Sequence, residues 1–398
     1  VKKVSNLLEE EIFKQGINAI VFIGGSFAKR TLLKKENYDV DIFVRFDWKF
    51  DDISGILEKI ARKANTKLNY KLSKIHGSRD YFKIEKNNTV FEVIPVYKIK
   101  KPKEARNVTD LSYFHVNYVK RKLHGNSLNE EILIAKKFCQ AQEVYGAETY
   151  VKGFSGYALE CLIISYKSFL KMIKTLSEAK ERIVLDPENH YKRKSDILFL
   201  LNENKLQGPI ILVDPTFKER NVLAALNTET FKKFQEAAAK FLKNPSTDFF
   251  EHKEFDINKL KNLASKKDNE FVHIKIKTNK QSGDIAGSKM KKFSNFLINE
   301  ISKYFNIAEK EFSYLENQES DLYLIVKAKK EIISFGPPIS MGKNASAFKK
   351  QHKNIFEKSG KLYAKEKINF SCKEFINKFT KEQKIKLEDM GITGLKPM

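Results

Sequence analysis

Cysteine is scarce in this chain, and long apolar runs are missing. Its 398 residues include only three cysteines, Cys139, Cys161 and Cys372, whose wide spacing fits neither a zinc site nor a disulfide framework. No apolar run is long enough to span a membrane. Residues 1–13 form an amphipathic helical pattern that lacks the apolar core of a signal peptide. We therefore expect a protein of the reducing cytoplasm that does not enter a membrane.

Acidic residues are too few to balance the basic ones. The chain has 74 lysines and arginines against 50 aspartates and glutamates, which gives a formal net charge of +24. A positive field of this size suits a polyanionic partner, and nucleic acid is the first candidate. A lysine-rich composition can also reflect an AT-rich genome or a hot habitat, so the charge alone does not establish RNA binding.

The most informative segment joins a glycine turn, Gly24–Ser26, to an acidic pair in a strand-like run, Asp39 and Asp41. Period 2 along a strand places the two aspartates on one face, about 6–7 Å apart at Cα. Carboxylates that close repel each other, so the pair suits divalent cations. Ser26 and the neighbouring amides would start a helix, where phosphate is favoured. Each half alone is commonly structural, but together they predict phosphoryl or nucleotidyl transfer.

A third acidic residue, Glu92, stands inside the apolar strand pattern from Thr89 to Tyr97. A charge in such a strand is costly unless it binds a partner or a cation. The alternative is an edge-strand glutamate that faces water. Combined with Asp39 and Asp41, Glu92 predicts a catalytic site for two Mg²⁺ ions. The expected chemistry is in-line attack of a 3′-hydroxyl on the α-phosphate of a nucleoside triphosphate.

Residues 1 to about 120 alternate helical and strand patterns, an α/β layout in which the sheet carries the carboxylates. The predicted strands are Ala19–Ile23, Val40–Phe46, Asn69–Ile75, Asp80–Ile84 and Thr89–Tyr97. A mainly helical region follows from about residue 116. A small α+β module begins near Phe271.

Four further segments have clear patterns. Residues 186–204 are polar and predict a loop, while residues 209–215 predict a short buried strand. Amphipathic periodicity predicts helices over Asn227–Lys243 and Met290–Phe305.

With these residues in place, the chain resembles the archaeal-type, class I CCA-adding enzymes, which are tRNA nucleotidyltransferases. GGSFAKRT and DVDIFVRF match the family's active-site signature, and FEVIPVY matches the strand that carries its third carboxylate. YGAE…GFSGY, the most specific of the matches, and VDPTFKERN match its later blocks. The resemblance implies an α+β fold class, with a DNA polymerase β-like nucleotidyltransferase head on a mixed sheet. It further implies head residues 1–120, a helical neck and central domain at 121–255, and an α+β body and tail at 256–398.

The resemblance also implies a nucleotide site. Its residues are Gly25, Ser26, Lys29, His115, Lys136, Tyr145 and Arg220. Arg220 matches the arginine that reads the incoming base, and the others match contacts to the triphosphate and sugar. Each has a structural alternative, such as a core histidine at His115 or a solvated lysine at Lys136. Two positions depart from the family: Glu92 replaces an aspartate, and Lys29 replaces an arginine.

The activity that the resemblance implies is template-independent addition or repair of the tRNA 3′-terminal CCA, with CTP and ATP as substrates. The implied partner is tRNA, held by its acceptor stem and TΨC arm, and a homodimer is the expected assembly. The cation-rich segment Lys349–Lys367 either follows RNA phosphates or is a solvated helix or hairpin. Two alternatives stay open: a poly(A) or poly(U) polymerase, and a non-catalytic RNA-binding relative.

Overall fold

The computed structural model describes residues 1–34, 37–125, 127–252, 256–267 and 269–398. It divides the chain into two compact units, Val1–Lys253 and Glu254–Met398. Both contain helices and sheets, which confirms the predicted α+β fold class. The three-domain division stays a prediction, and its boundary at residue 255 lies outside the described residues. Within the described ranges, no helix is long and apolar enough to cross a membrane.

The first unit contains a sheet-forming half and a mainly helical half. Its elements in chain order are α1 (Lys2–Lys14), β1 (Ala19–Ile23), α2 (Gly25–Lys29), β2 (Tyr38–Phe46), α3 (Ile53–Leu68), β3 (Lys71–Ile75), β4 (Tyr81–Lys86), β5 (Thr89–Tyr97), α4 (Ser112–Leu123), α5 (Leu128–Ala141), α6 (Gly156–Tyr166), α7 (Phe169–Ser177), β6 (Ile183–Leu185), α8 (Lys194–Leu200), β7 (Ile210–Asp214), β8 (Phe217–Asn221) and α9 (Thr228–Lys243).

Strands β1 to β5 form one mixed sheet in the order β1-β2-β5-β4-β3. β2 and β5 run parallel, whereas the other neighbouring pairs are antiparallel. Val40, Ile42 and Val44 of β2 are buried in one core with Leu8 of α1 and Leu57 of α3. Because side chains alternate along a strand, the intervening residues of β2 face the other side of the sheet.

Helices α4 to α7 and α9 share a second core with strands β6 and β7. Phe138 lies at its centre and contacts the rings of Phe169, Phe234 and Phe241. Helix α9 begins after Asn227, whose side chain accepts a hydrogen bond from the Thr230 amide and so caps the helix. This core fixes the helices that carry the charged residues of the candidate site.

The second unit contains two antiparallel sheets, β10-β11-β9-β15 and β12-β14-β13. Its elements are α10 (Ile257–Lys266), β9 (Glu270–Thr278), α11 (Asp284–Ser302), β10 (Phe305–Tyr314), β11 (Glu319–Ala328), β12 (Ile332–Pro338), α12 (Gly342–Gln351), β13 (Ile355–Lys358), β14 (Lys361–Glu366), α13 (Cys372–Glu382), α14 (Lys384–Asp389) and β15 (Ile392–Pro397). Helices α11 and α13 pack on the four-stranded sheet through Phe293 and Ile376, which share a core with Ile274 and Leu324.

Two sequence-based element predictions are wrong. The segment predicted as a loop contains helix α8. Its residues Ile197 and Leu201 pack against Ile211 and Val213 of β7. This apolar face is not evident from a segment that is polar overall. The helix predicted to reach Phe305 ends at Ser302, and Phe305 instead begins strand β10.

Candidate active site

Three charged side chains lie in a row across the five-stranded sheet. Asp41 on β2 is directly opposite Glu92 on β5, and Glu92 is directly opposite Lys83 on β4. Register partners on neighbouring strands point to the same face, so the row lies on the side away from α1 and α3. The Lys83 Nζ atom is 3.1 Å from Glu92 Oε1. Asp39 precedes Asp41 by two residues on the same face and is exposed.

The electrostatics of this row are centred on Asp41. Burial, followed by the negative charges of Glu92 and Asp39, raises the pKa of the Asp41 carboxyl to about 6, although Lys29 opposes this shift. At neutral pH the carboxylate is therefore ionised, but at a free-energy cost that a nearby cation would remove. This mutual repulsion is the observation that favours a cation at the site.

The donor set suits a hard divalent cation, since carboxylate oxygens are the ligands that Mg²⁺ prefers. Among the residues that the structure describes, however, no three Asp, Glu, His or Cys side chains form a ready-made metal site. Glu92 contacts the ammonium group of Lys83, which supplies the positive charge beside it. The assignment of Asp39, Asp41 and Glu92 as metal ligands stays a prediction.

The glycine turn lies directly against Asp41. The Gly24 amide donates a hydrogen bond to the Asp41 carbonyl at 2.9 Å, which ties the turn to β2. Gly25 has φ +62°, and a Cβ there would lie 1.6 Å from Asp41 Oδ2. Only glycine permits this approach, because a side chain would overlap the carboxylate. Ser26 follows in the first turn of α2 and is partly exposed.

Two predicted nucleotide-binding lysines meet at a buried carboxylate. Glu160 of α6 is fully buried, and its two oxygens lie 2.5 Å from Lys29 Nζ and 2.8 Å from Lys136 Nζ. The Thr31 hydroxyl donates a third hydrogen bond to Glu160 at 2.6 Å. Burial alone would raise the pKa of Glu160, but the two ammonium groups outweigh it and lower the pKa to about 2. The carboxylate is therefore ionised at any physiological pH.

Lys136 and Tyr145 lie together at the start of α6. Lys136 is 2% exposed, and its ammonium group donates to the Thr31 carbonyl at 3.0 Å, the Thr31 hydroxyl at 3.1 Å and Glu160 at 2.8 Å. A Cβ on Gly156 would lie 2.9 Å from the Tyr145 hydroxyl and 3.7 Å from Lys136 Nζ. Burial raises the pKa of Tyr145, so its hydroxyl stays protonated.

The other two predicted nucleotide-binding residues meet at Asp214, the last residue of β7. Asp214 accepts hydrogen bonds from Arg220 Nη1 at 2.7 Å, His115 Nε2 at 3.0 Å and the Tyr157 hydroxyl at 3.1 Å. Although burial opposes it, the His115 hydrogen bond and the Arg220 charge hold the pKa of Asp214 well below its usual range. Burial lowers the pKa of His115, so a neutral ring donates from Nε2.

Tyr157 connects the two groups. Its ring stacks on His115 with centroids 4.0 Å apart, and Lys29 Nζ lies 5.8 Å from its centroid. Lys29 also influences the pKa of both Asp41 and His115, so its charge is within electrostatic range of each. The structure thus places every sequence-predicted site residue in the first unit, around Asp41, Glu160 and Asp214. Their roles in binding stay predictions.

Sequence reasoning missed Glu160, Asp214 and Lys83. Glu160 is the only charge in the otherwise apolar run of α6, and that isolation is a usable signal, because a lone buried charge needs a partner. Asp214 ends a strand whose five residues are all buried, which carries the same signal. The sequence around Lys83 contains no such signal, since alternating charges are common on exposed strands.

Comparison with known proteins agrees with these observations. Residues 130–251 match the family model described as "tRNA nucleotidyltransferase, second domain". The CCA-adding enzyme of Nanoarchaeum equitans is 31% identical over 349 residues, which cover 86% of this chain and 82% of that relative. The CCA-adding enzyme of Methanocaldococcus jannaschii is 28% identical over 352 residues, covering 86% and 77%.

A solved poly(U) polymerase structure aligns with a TM-score of 0.49 at 10% identity, covering 63% of this chain and 92% of that one. The similarity to the Nanoarchaeum equitans enzyme extends over both units of the chain and over four-fifths of a whole curated relative. It therefore confirms the family that the motifs predict. The chain belongs to the family of CCA-adding enzymes, the tRNA nucleotidyltransferases.

Proposed function

We propose that this protein adds or repairs the 3′-terminal CCA of tRNA without a nucleic-acid template, using CTP and ATP. The single observation that carries the proposal is the 31% identity to a CCA-adding enzyme across 82% of that enzyme's length. The row of Asp41 and Glu92 beside a glycine turn supports it, because these groups suit nucleotidyl transfer.

The proposed reaction is in-line attack of the tRNA 3′-hydroxyl on the α-phosphate, with pyrophosphate leaving. Asp39, Asp41 and Glu92 would hold two Mg²⁺ ions. Bound there, such ions lower the pKa of a hydroxyl and neutralise the charge of a triphosphate. Asp41 is the best-supported ligand, since its pKa is raised to about 6 by burial and by its acidic neighbours. Glu92 Oε1 lies 3.1 Å from Lys83 Nζ, so a bound cation would compete with that ammonium group for the carboxylate.

The proposed nucleotide site surrounds this row. Gly25 and Ser26 would offer backbone and hydroxyl donors to the triphosphate, while Lys29 and Lys136 would supply positive charge. His115 and Tyr145 would contact the phosphates and sugar. Arg220 would read the base. Its Nη1 donates a hydrogen bond to Asp214, and none of the described residues accepts a hydrogen bond from its Nε or Nη2. Those two donors suit the edge of a cytosine or adenine.

The function is tested by supplying purified protein with Mg²⁺, CTP, ATP and a tRNA that lacks its terminal triplet. We expect extension by three nucleotides, C, C and A, which sequencing of the product identifies. Long homopolymer tails would instead assign the protein to the poly(A) or poly(U) polymerases. No extension, together with intact tRNA binding, would support a non-catalytic RNA-binding relative.

We further propose that tRNA binds through its acceptor stem and TΨC arm and that the protein acts as a homodimer. Recognition of this kind reads A-form shape and backbone phosphates. In the second unit, the ring of Phe335 on β12 is 81% exposed and contacts Tyr363 edge-on, while Phe356 stacks on the other side of Tyr363. Lysines of the β13-β14 hairpin flank these rings, so the hairpin offers both stacking and phosphate contacts.

Affinity for tRNA is expected to fall steeply with salt. Because contacts to phosphates release counterions, we expect the Kd to rise at least about 100-fold between about 50 and 200 mM salt. Fluorescence anisotropy with labelled tRNA measures this change. CTP binding measured over the same range serves as the control, since it should change far less. A flat response for tRNA would contradict the basic surface as the binding platform.

Catalysis is expected to fall on the acidic side of pH 6. Metal binding requires ionised Asp41, whose pKa is raised to about 6, so the rate should approach a loss of about tenfold per pH unit below that value. Raising the Mg²⁺ concentration should move this limb to lower pH, because metal competes with protons. If the rate at low Mg²⁺ concentration falls only near pH 4, the assignment of Asp41 as a metal ligand is contradicted.

The stability of the fold provides the control for this pH profile. A raised pKa means that the folded state binds the Asp41 proton more tightly than the unfolded state does. The contribution of Asp41 therefore stabilises the fold at low pH and is lost as the pH rises through about 6. Activity lost between pH 6 and 5 should accordingly occur without unfolding, which circular dichroism at each pH checks.

A further inference from the structure

The buried group around Glu160 is rich in positive charge. Lys29, Lys136 and Glu160 together carry a net charge of +1, and all three are 9% exposed or less. The Asp41 carboxylate lies within electrostatic range of Lys29, but Glu160 is the carboxylate that directly contacts both ammonium groups. Two ammonium groups that share one carboxylate are suited to a further anion beside them.

Lys29 is the more exposed of the two lysines, at 9% against 2% for Lys136. Lys29 is the last residue of α2, the helix that begins at Gly25 beside Asp41. Its ammonium group can donate three hydrogen bonds, and among the described residues only Glu160 accepts one. Lys136, by contrast, has its donors directed to Thr31 and Glu160. Lys29 thus has two donors that no described residue accepts, whereas Lys136 makes three contacts inside the cluster.

We propose that Glu160 is a positioning residue for the triphosphate, because it gives one carboxylate oxygen to each ammonium group and so fixes Lys29 beside the acidic row. The inference rests on the proposed nucleotide site. Glu160 is fully buried and acts through the lysines, not by touching the nucleotide. The Thr31 hydroxyl donates a hydrogen bond at 2.6 Å to Glu160 Oε1, the same oxygen that accepts from Lys136.

Two physical effects of Glu160 have opposite signs. A carboxylate near a triphosphate repels it, so if charge alone mattered, a Glu160→Gln variant would bind triphosphate more tightly. If Glu160 instead positions the lysines, the glutamine amide presents a donor where one ammonium group needs an acceptor, and Lys29 leaves its place. We expect positioning to dominate, because the 2.5 Å and 2.8 Å contacts are short and fully enclosed.

The test measures binding of inorganic tripolyphosphate and of CTP to the full chain by isothermal titration calorimetry. We expect Glu160→Gln to weaken both about 10- to 100-fold, the range for loss of a charge-assisted hydrogen bond, and to leave the tRNA Kd within about twofold. The KM for CTP should rise more than kcat falls. Unchanged or tighter binding of tripolyphosphate would overturn the proposal.

A matched control and a second variant complete the design. Asp110→Asn removes another buried carboxylate, one that holds Arg79 and accepts the Tyr97 amide at 2.9 Å, and it should leave triphosphate affinity unchanged. If the Glu160→Gln variant does not fold, the Glu160→Asp variant tests the positioning role instead. That variant keeps the charge but is shorter by about 1.5 Å, so it can hold only one lysine. It should weaken tripolyphosphate several-fold, and unchanged affinity would overturn the proposal.

A double-mutant cycle with Lys29→Met separates this inference from the proposed nucleotide site. If Glu160 acts through Lys29, Glu160→Gln should weaken tripolyphosphate by less than about threefold in the Lys29→Met background. If Lys29→Met alone has no effect, the proposed triphosphate site itself is wrong. If Lys29→Met weakens binding and Glu160→Gln does not, the site stands and only the positioning role fails.

Discussion

An Asp41→Asn variant is expected to lose nucleotide addition by at least about 1,000-fold and yet to be more stable than the wild type at neutral pH. The loss follows because removal of a proposed central metal ligand would forfeit several kcal/mol of transition-state stabilisation. The gain follows because burial, Glu92 and Asp39 raise the pKa of Asp41 from 3.8 to about 6, so the charge destabilises the fold. Without metal, we expect a gain of about 1–2 kcal/mol.

Primer-extension kinetics and thermal unfolding without divalent cations measure the two effects. Asp110→Asn is the matched control for stability, because Asp110 is buried and paired with Arg79. It should lose about 3 kcal/mol, the opposite sign, since one partner of a buried ion pair is left behind. Binding of tRNA to Asp41→Asn should stay close to that of the wild type. Retained turnover would show that Asp41 is not a metal ligand. A lower melting temperature would contradict the inference that the charge of Asp41 destabilises the fold.

The sheet that carries these residues was largely predictable because its strands have strong local patterns. Ala19–Ile23 and Thr89–Tyr97 are predicted with the bounds that the structure shows. The alternation of Asp39, Val40 and Asp41 correctly indicates a half-buried strand. What the pattern does not contain is the strand order, and only the parallel pairing of β2 with β5 places Asp41 opposite Glu92. Register of this kind comes from tertiary packing and not from a single strand.

The parts that escaped prediction depend on contacts between distant segments. Helix α8 reads as polar because the burial of Ile197 comes from strand β7, which follows it in sequence. Likewise, the resemblance implies Lys29 and Lys136 as nucleotide contacts, whereas the structure buries both against Glu160, which lies 131 residues from Lys29 in the sequence. Local sequence patterns do not reveal contacts between residues that are so far apart in the chain. A lone charge in an apolar helix, as at Glu160, is the one signal that indicates where to look.

The lysine at position 29 has a physical explanation in the same cluster. The resemblance implies an arginine there, and the chain has lysine. In the structure the Lys29 ammonium group approaches Glu160 to 2.5 Å while 9% exposed, and a bulkier guanidinium group would have to share that enclosed space. The smaller cation is therefore compatible with the carboxylate and a ligand together.

Replacing Gly25 by alanine is expected to reduce nucleotide addition at least about 100-fold, because a displacement of about 1 Å in a reacting group costs that much. Gly25 has φ +62°, and a Cβ would lie 1.6 Å from Asp41 Oδ2 and 2.6 Å from its Cγ. Either the carboxylate or the turn must move, so the proposed metal ligands and the proposed triphosphate donors would lose their alignment. Primer-extension kinetics with saturating CTP measure the loss.

Gly16 supplies the matched control for Gly25→Ala. Its φ is +63°, and no atom lies within 4 Å of an added Cβ, so Gly16→Ala imposes the same backbone strain without a clash. Gly16→Ala should lose about 1–2 kcal/mol of stability from the left-handed conformation, and Gly25→Ala at least as much, but only Gly25→Ala should lose activity. If both variants extend tRNA at the same rate, the close approach of Gly25 to Asp41 has no part in catalysis. If Gly25→Ala alone fails, the glycine turn and the acidic pair act as one unit, because the first sets the position of the second.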